Sequence, residues 1–281
     1  MKEIYTDAIT DAVEQMCLTA AYDLPGDVEE CIRANMLKEE SGFGKYIFEQ
    51  ILENADYSRK QRVAICQDTG VAVFFLELGQ DVHITGGSLK GAINEGVRRG
   101  YKNGYLRTSM VAEPVFERKN TGDNTPAIIH IDIVPGDKLK MLLMPKGGGS
   151  ENMARLAMLT PSAGIKGLKE FVVGAVREAG GNPCPPVIVG VGIGGTMEKT
   201  ALLAKKALMR KTGEPSPDPK YAALEQELLE EINNTGVGPQ GLGGTITALA
   251  VHIEYFPAHI TGMPVAVNLN CHASRHAEAV L

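Results

Sequence analysis

The chain has 281 residues, of which 44% are apolar and 22% charged, with 34 acidic against 28 basic residues and a formal net charge of −6. That length buries a sizeable core, and no run of 18 or more apolar residues is present to form a membrane-spanning helix. The acidic balance lacks the footprint of a protein that binds nucleic acid or an anionic membrane, so an anionic ligand would have to be held by a local arginine or by backbone amides. The opening MKEIYTDAITDAVEQMC is acidic where a secretory signal would be basic and then apolar, and the expected location is the cytoplasm.

Apolar residues recur at helical spacing over 2–20, 27–40 and 44–55, giving a helical amino-terminal region of about 60 residues. After a polar break at Tyr57-Ser58-Arg59-Lys60, two β-rich runs flank Gln67-Asp68-Thr69-Gly70, which reads as a turn between extended segments. A helix is predicted over 91–101, strands over 127–134 and 138–143, and a helix over 165–179. An apolar strand over 186–191 then runs into a glycine cluster and a helix through Leu208. A proline-bearing loop over 211–220, a helix over 221–233 and strands over 245–254 and 265–269 complete the chain. The order is mixed α and β without a βαβ rhythm, and one domain over 1–281 is expected, with neither repeats nor a linker.

Gly190, Gly192 and Gly195 fit G-x-G-x-x-G between a strand and a helix, the context of a dinucleotide-binding turn. A Rossmann fold needs a second parallel strand after that helix, whereas here the helix meets a proline-rich loop and another helix. A nucleotide-binding reading of Gly190 to Gly195 therefore stands as an alternative of a different class, beside a glycine turn that lets backbone approach something bulky. Lys146-Gly147-Gly148-Gly149-Ser150 before a helix reads equally as an anion cradle of amides or as an ordinary loop.

Five cysteines at wide spacings, without a secretory signal, make a disulfide framework improbable. Cys17 and Cys31 lie in helical stretches and read as small core residues. Cys66, Cys184 and Cys271 occupy turn-like settings, and Cys184 stands between prolines that present its sulfur. No C-x2-C pair exists for structural zinc, and no tight run for a ferredoxin-like site. Three separate thiolates suit a cluster that leaves one iron without a protein ligand, a Lewis acid fit for removing water from a hydroxy acid. Asp68, two residues from Cys66, reads either as a proton carrier for that chemistry or as an Asx-turn capping its own loop. His130 and His252, inside strand patterns, read as structural.

Taken together, ICQDTG at 65–70, YLRTS at 105–109, FERKNTGDNTPA at 116–127, MPKGGGSEN at 144–152, NPCPP at 182–186, GVGIGGTMEKTALLAKKAL at 190–208, GPQGLGGTITALAVHIE at 238–254 and the closing NLNCHASRHA resemble the α-type chain of the iron-sulfur class I fumarases and L(+)-tartrate dehydratases. The resemblance spans nearly the whole chain. It implies a [4Fe-4S] cluster on Cys66, Cys184 and Cys271, substrate contacts from Gln67, Arg107 and the Gly147–Gly149 loop, including Gly148 and Gly149, Asp68 as the acid that protonates the departing hydroxyl, and His259 as an active-site histidine. It further implies a separate β-type subunit completing the site, in an assembly of two α and two β chains, and a small dicarboxylate substrate. Arg275 matches a family arginine without an assigned role. The activity it implies first is hydration of fumarate to (S)-malate, with L(+)-tartrate dehydration as the alternative. A cluster-bearing sensor without turnover is a third class, one that has no need of Asp68 and Arg107 beside an anion cradle.

Overall fold

A computed structural model describes residues 2–281 and shows a mixed α/β protein of two compact units. The first unit comprises residues 2–25, Ala55–Gly148 and Arg275–Leu281; the second comprises Gly26–Asn54 and Gly149–Ser274. In chain order the elements are β1 (Lys2–Tyr5), α1 (Thr6–Tyr22), α2 (Gly26–Lys38), α3 (Gly42–Gln61), β2 (Val71–Gly79), β3 (Val82–Thr85), α4 (Leu89–Asn103), β4 (Ile128–Val134), β5 (Leu139–Lys146), α5 (Gly148–Glu151), β6 (Arg155–Leu159), α6 (Gly164–Ala179), β7 (Val187–Gly194), α7 (Met197–Ala207), α8 (Pro219–Asn233), β8 (Ala248–Phe256), β9 (Met263–Asn270) and β10 (Ala277–Val280).

The first unit is built on a sheet of order β10-β5-β2-β4, in which β2 runs parallel to β4 and antiparallel to β5. Alternation along β2 sends Ala72, Phe74 and Leu76 to one face, where they join Ile9, Val13 and Cys17 of α1 and Ile93 and Val97 of α4 in one apolar cluster. Gly96 and Gly100 let α4 lie against α1, since a Cβ there would meet Val13 or Cys17 at 2.6 Å.

The second unit holds a sheet of order β6-β9-β7-β8, with β7 parallel to β8 and antiparallel to β9. Every residue of β7 is buried, and its sequence Val-Ile-Val-Gly-Val-Gly-Ile-Gly separates two faces. Val187, Val189, Val191 and Ile193 pack with Leu168 and Val172 of α6 and Leu228 and Ile232 of α8. Gly190 and Gly192 lie on the other face beneath α7, where a Cβ would collide with the carbonyls of Ala204 and Thr200.

Several local expectations are corrected. Lys2–Tyr5 is a strand paired with β3, so the first helix starts at Thr6. The polar segment Tyr57–Lys60 lies inside α3, and only the second of the two β-rich runs, Val71–Gly79, is a strand. Gly190 and Gly192 are strand residues rather than a turn; tertiary packing of α7 onto β7 uses the missing side chains. Among the described residues no helix is long and apolar enough to cross a membrane.

His252 on β8 is fully buried, with Nδ1 bonded to the Ala207 carbonyl at 3.2 Å and Nε2 without a hydrogen-bond partner among the described residues. Burial first, and the Arg210 guanidinium second, push its pKa down from 6.5 to about 4. Below pH 6.5 the unfolded chain therefore binds a proton that the folded chain refuses. Stability should fall by up to about 3 kcal/mol between pH 6.5 and pH 4 and then level off at this site. Urea unfolding across that range should show this slope in the wild type and a shallower one in His252→Gln. Superimposable pH profiles would remove His252 as the cause.

Candidate active site

In the first unit the chain between α3 and β2 forms a tight turn pinned from several elements. Asp68 is its centre. Its Oδ1 accepts the Gly70 amide at 3.2 Å, closing an Asx-turn, and its Oδ2 accepts the amide of Gly148 at 2.7 Å. Tyr101 of α4 donates its hydroxyl to the carbonyls of Thr69 at 3.0 Å and Gly70 at 2.7 Å, and Asn124 Nδ2 donates to Gly70 at 3.0 Å. Thr69 Oγ1 donates to the Arg107 carbonyl at 2.5 Å, which ties the backbone of Arg107 to the turn while its side chain stays exposed. Gly70 has φ +80°, and a Cβ there would stand 2.8 Å from backbone atoms of Pro145 and Lys146.

Beneath the turn, Arg275 is 3% exposed and donates Nη2 to the Asp68 carbonyl at 2.8 Å. Its Nε and Nη1 have no hydrogen-bond partner among the described residues. A buried guanidinium with donors to spare places positive charge under the turn. Burial raises the Tyr101 phenol, and the nearby Arg275 charge opposes that rise.

Cys66, Gln67, Asp68, Arg107 and Gly148 thus all belong to the first unit. The Asp68 amide donates to Cys66 Sγ at 3.4 Å, and that thiol contacts Gln67 Oε1 at 3.3 Å. The anion cradle expected of the glycine loop is partly filled by the chain's own Asp68, through Gly148. A Cβ at Gly147 would approach Asp68 Oδ2 to 3.1 Å, so a side chain there would crowd the carboxylate.

The second unit carries Cys184, Cys271, Gly149 and His259. Cys184 has φ +55° and an exposed thiol in the turn before β7. The Gln240 backbone amide and Nε2 hold the next carbonyl, Pro185 O, at 2.8 and 2.7 Å. Cys271 follows β9 at the same end of the sheet, because Asn270 pairs with Ile188, and the next amide, of His272, donates to the Cys184 carbonyl at 3.3 Å. Gly149 lies against the Asn182 carbonyl, where a Cβ would come within 3.1 Å. His259 sits in the exposed 257–262 loop at the other end of the sheet, roughly 20 Å along the strands from Cys184 and Cys271, with Nδ1 at 2.8 Å from Thr261 Oγ1.

The five thiols divide by environment. Cys17 is buried and its pKa is pushed up to about 12 by desolvation and by Glu14; burial also raises Cys31. Cys66 and Cys271 are half-buried and Cys184 is exposed, as ligands to an added group must be. Among the described residues no three His, Cys, Asp or Glu side chains converge as they would around one metal ion. Sequence patterns did not single out Tyr101, Asn124 or the contact of Arg275; the one local signal was Asn124 in GDNTPA, a residue that adopts φ +59°.

Residues 10–280 match the family model described as fumarate hydratase (fumerase). The chain is 42% identical over 273 residues, 96% of either chain, to a Methanocaldococcus jannaschii protein provisionally named L(+)-tartrate dehydratase subunit alpha. It is 34% identical to the L(+)-tartrate dehydratase subunit alpha of Escherichia coli strain UTI89, over 98% of this chain and 91% of the relative, and 33% identical to that of strain K12 over the same shares. These matches and the mixed α/β fold define a hydro-lyase chain. The protein belongs to the class I fumarate hydratase and L(+)-tartrate dehydratase family, as an α-type chain.

Gly70→Ala should cost about 2 kcal/mol or more, because the left-handed backbone and the approach to Pro145 and Lys146 both oppose a Cβ. Denaturant unfolding would show this directly, and a loss under about 0.5 kcal/mol would mean that the turn is not held as tightly as its contacts require.

Proposed function

We propose that the chain is the α-type subunit of a hydro-lyase acting on a four-carbon dicarboxylate, with a [4Fe-4S] cluster held by Cys66, Cys184 and Cys271. The observation that carries this reading is the pinned turn that places the accessible Cys66 thiol, Gln67 and the Asp68 carboxyl side by side. Family membership supports it, as does the placing of Cys66, Cys184 and Cys271 in accessible turns, whereas Cys17 is buried in a helix. When bound, the cluster would supply a Lewis-acidic iron, free of a protein ligand, for the hydroxyl and carboxylate of the substrate.

The chain's own groups do the rest. Asp68 carries the proton to or from the departing hydroxyl, within a turn that fixes where the carboxyl points. Arg107, exposed and anchored through its carbonyl, grips one substrate carboxylate with a planar fork. The Gly149 amide is the next donor of the glycine loop beyond Gly148. Gln67 offers an amide beside Cys66. His259 serves this site only if the assembled protein brings its loop there. A β-type subunit supplies the remaining groups, in an assembly with two copies of each chain, and the protein works in the cytoplasm.

Hydration of fumarate to (S)-malate is the first activity to test. L(+)-tartrate dehydration is favoured by a separate observation, the names of the relatives. The two substrates differ by one hydroxyl, so groups on the β-type chain can decide between them. Co-expression with the β-type chain and anaerobic assay on both substrates tests the reading. Turnover of neither, with iron loaded, would reject it.

Anaerobically purified protein should hold about four irons per chain, lost in Cys66→Ala, Cys184→Ala and Cys271→Ala and kept in Cys17→Ala and Cys31→Ala. Iron retained by any of the first three variants would remove that cysteine from the ligand set.

At matched iron content, Asp68→Asn should lower kcat by roughly 10² to 10⁴. Arg107→Lys should act mainly on kcat/KM, because a point charge replaces the bidentate fork. Near-normal turnover in Asp68→Asn would leave Asp68 as a turn residue only.

A further inference from the structure

β4 forms one edge of the first unit's sheet, and its ladder to β2 runs through seven successive pairs without a bulge. Natural sheet edges are usually blunted by proline, lysine, a bulge or shortness. This one reads Ile-Ile-His-Ile-Asp-Ile-Val, seven residues with no proline, lysine or bulge and with Asp132 as the one carboxylate on it. Ile128 is 42%, Ile131 49% and Ile133 69% exposed, an apolar edge that invites pairing with another strand.

The ladder decides which backbone groups face outward. Gln80 donates its amide to the Val134 carbonyl, so Val134 points its polar groups at β2. By strand alternation Asp132, His130 and Ile128 do the same. The amides and carbonyls of Ile129, Ile131 and Ile133 therefore point to the open side.

We propose that this edge pairs antiparallel with the same edge of a second copy of the chain, centred on Ile131. In that register Ile131 faces Ile131 of the second copy and Ile129 faces Ile133, all as hydrogen-bonded pairs, so every outward amide and carbonyl gains a partner. The closer, non-hydrogen-bonded pairs are then His130 opposite Asp132 and Ile128 opposite Val134. Moving the centre to His130 or to Asp132 keeps the backbone pairing but sets histidine against histidine or aspartate against aspartate. Donor–acceptor complementarity, an imidazole opposite a carboxylate, selects Ile131, with His130 also stacked on Phe75 of its own sheet at 5.0 Å between ring centroids. Ile129, Ile131 and Ile133 continue the face of Phe74, Leu76 and Leu78, so pairing would carry that face across the seam. The proposal stands apart from the catalytic reading, since it concerns the full chain without its cluster or β-type partner.

Sedimentation equilibrium of the full chain tests it, with circular dichroism melts to show that each variant is folded. The wild type should be a dimer at micromolar concentration. Ile131→Pro removes only an outward amide, not a rung of the β2 ladder, and should raise the dimer dissociation constant at least about tenfold. His130→Asp places carboxylate against carboxylate twice across the seam and should do likewise, while adding Asp132→His to it should restore the dimer. A monomeric wild type, as when another protein covers β4, overturns the proposal. So does a dimer indifferent to Ile131→Pro, or a dimer lost in His130→Asp that the double substitution does not recover.

Discussion

Asp68 binds two backbone amides with one carboxylate, and the arrangement of the first unit's site depends on those bonds. Gly70 and Gly148 come from different parts of the chain, so the same carboxyl closes its own turn and fastens the start of the glycine loop to it. Charge-assisted bonds of this kind are stronger than neutral ones, and two of them to one side chain leave it little rotational freedom. Arg275 and Tyr101 then hold the carbonyls of the same turn from below. An ionisable group fixed in this way is oriented before any ligand arrives, which is what proton transfer to a bound substrate demands. The turn-former read from the sequence is observed, and the proton carrier proposed for the same residue would use a carboxyl whose direction these bonds fix. The Asx-turn is how the carboxyl is aimed.

The second unit depends on an absence of side chains. Gly190 and Gly192 alternate with valines along β7, so one face of the strand is apolar and the other is nearly bare. Helix α7 settles on the bare face closely enough that its carbonyls occupy the volume a Cβ would need. Close approach of backbone to backbone is also what a nucleotide-binding glycine turn provides, which is why the pattern resembled one. Here the approaching backbone belongs to the chain itself. Gly194 and Gly195, at φ +86° and +72°, then make the turn into α7.

The cysteines show how environment separates chemically identical groups. Cys17 packs into the α1 and α4 cluster, where a thiolate would be costly, while Cys184 is exposed on a left-handed backbone. Burial disfavours the charged form, and only an accessible sulfur can meet an added group. Helical Cys31 is half-buried, as Cys66 and Cys271 are, so exposure alone separates only Cys17, and local sequence, helix interior against turn, separates the rest.

The sequence by itself determined the family, the mixed α/β class and the type of most elements, because glycine clusters, proline-flanked turns and long periodic runs are written in short windows. Through the family resemblance it also proposed one site of Cys66, Cys184, Cys271, Gln67, Asp68, Arg107, Gly148, Gly149 and His259, of which Cys66, Gln67, Asp68, Arg107 and Gly148 belong to the first unit. It did not determine the short strands Lys2–Tyr5, Val82–Thr85, Arg155–Leu159 and Ala277–Val280, whose four or five residues acquire strand form from their neighbours in the sheet rather than from their own pattern. Nor did it disclose Tyr101, Asn124 and Arg275 under the Asp68 turn, since those contacts join residues 31 to 207 positions apart. Periodicity reports what a residue does within its own element. Which carbonyl a buried side chain reaches, and which glycine lies under a helix, is fixed only when distant elements pack and every buried polar group must find its partner.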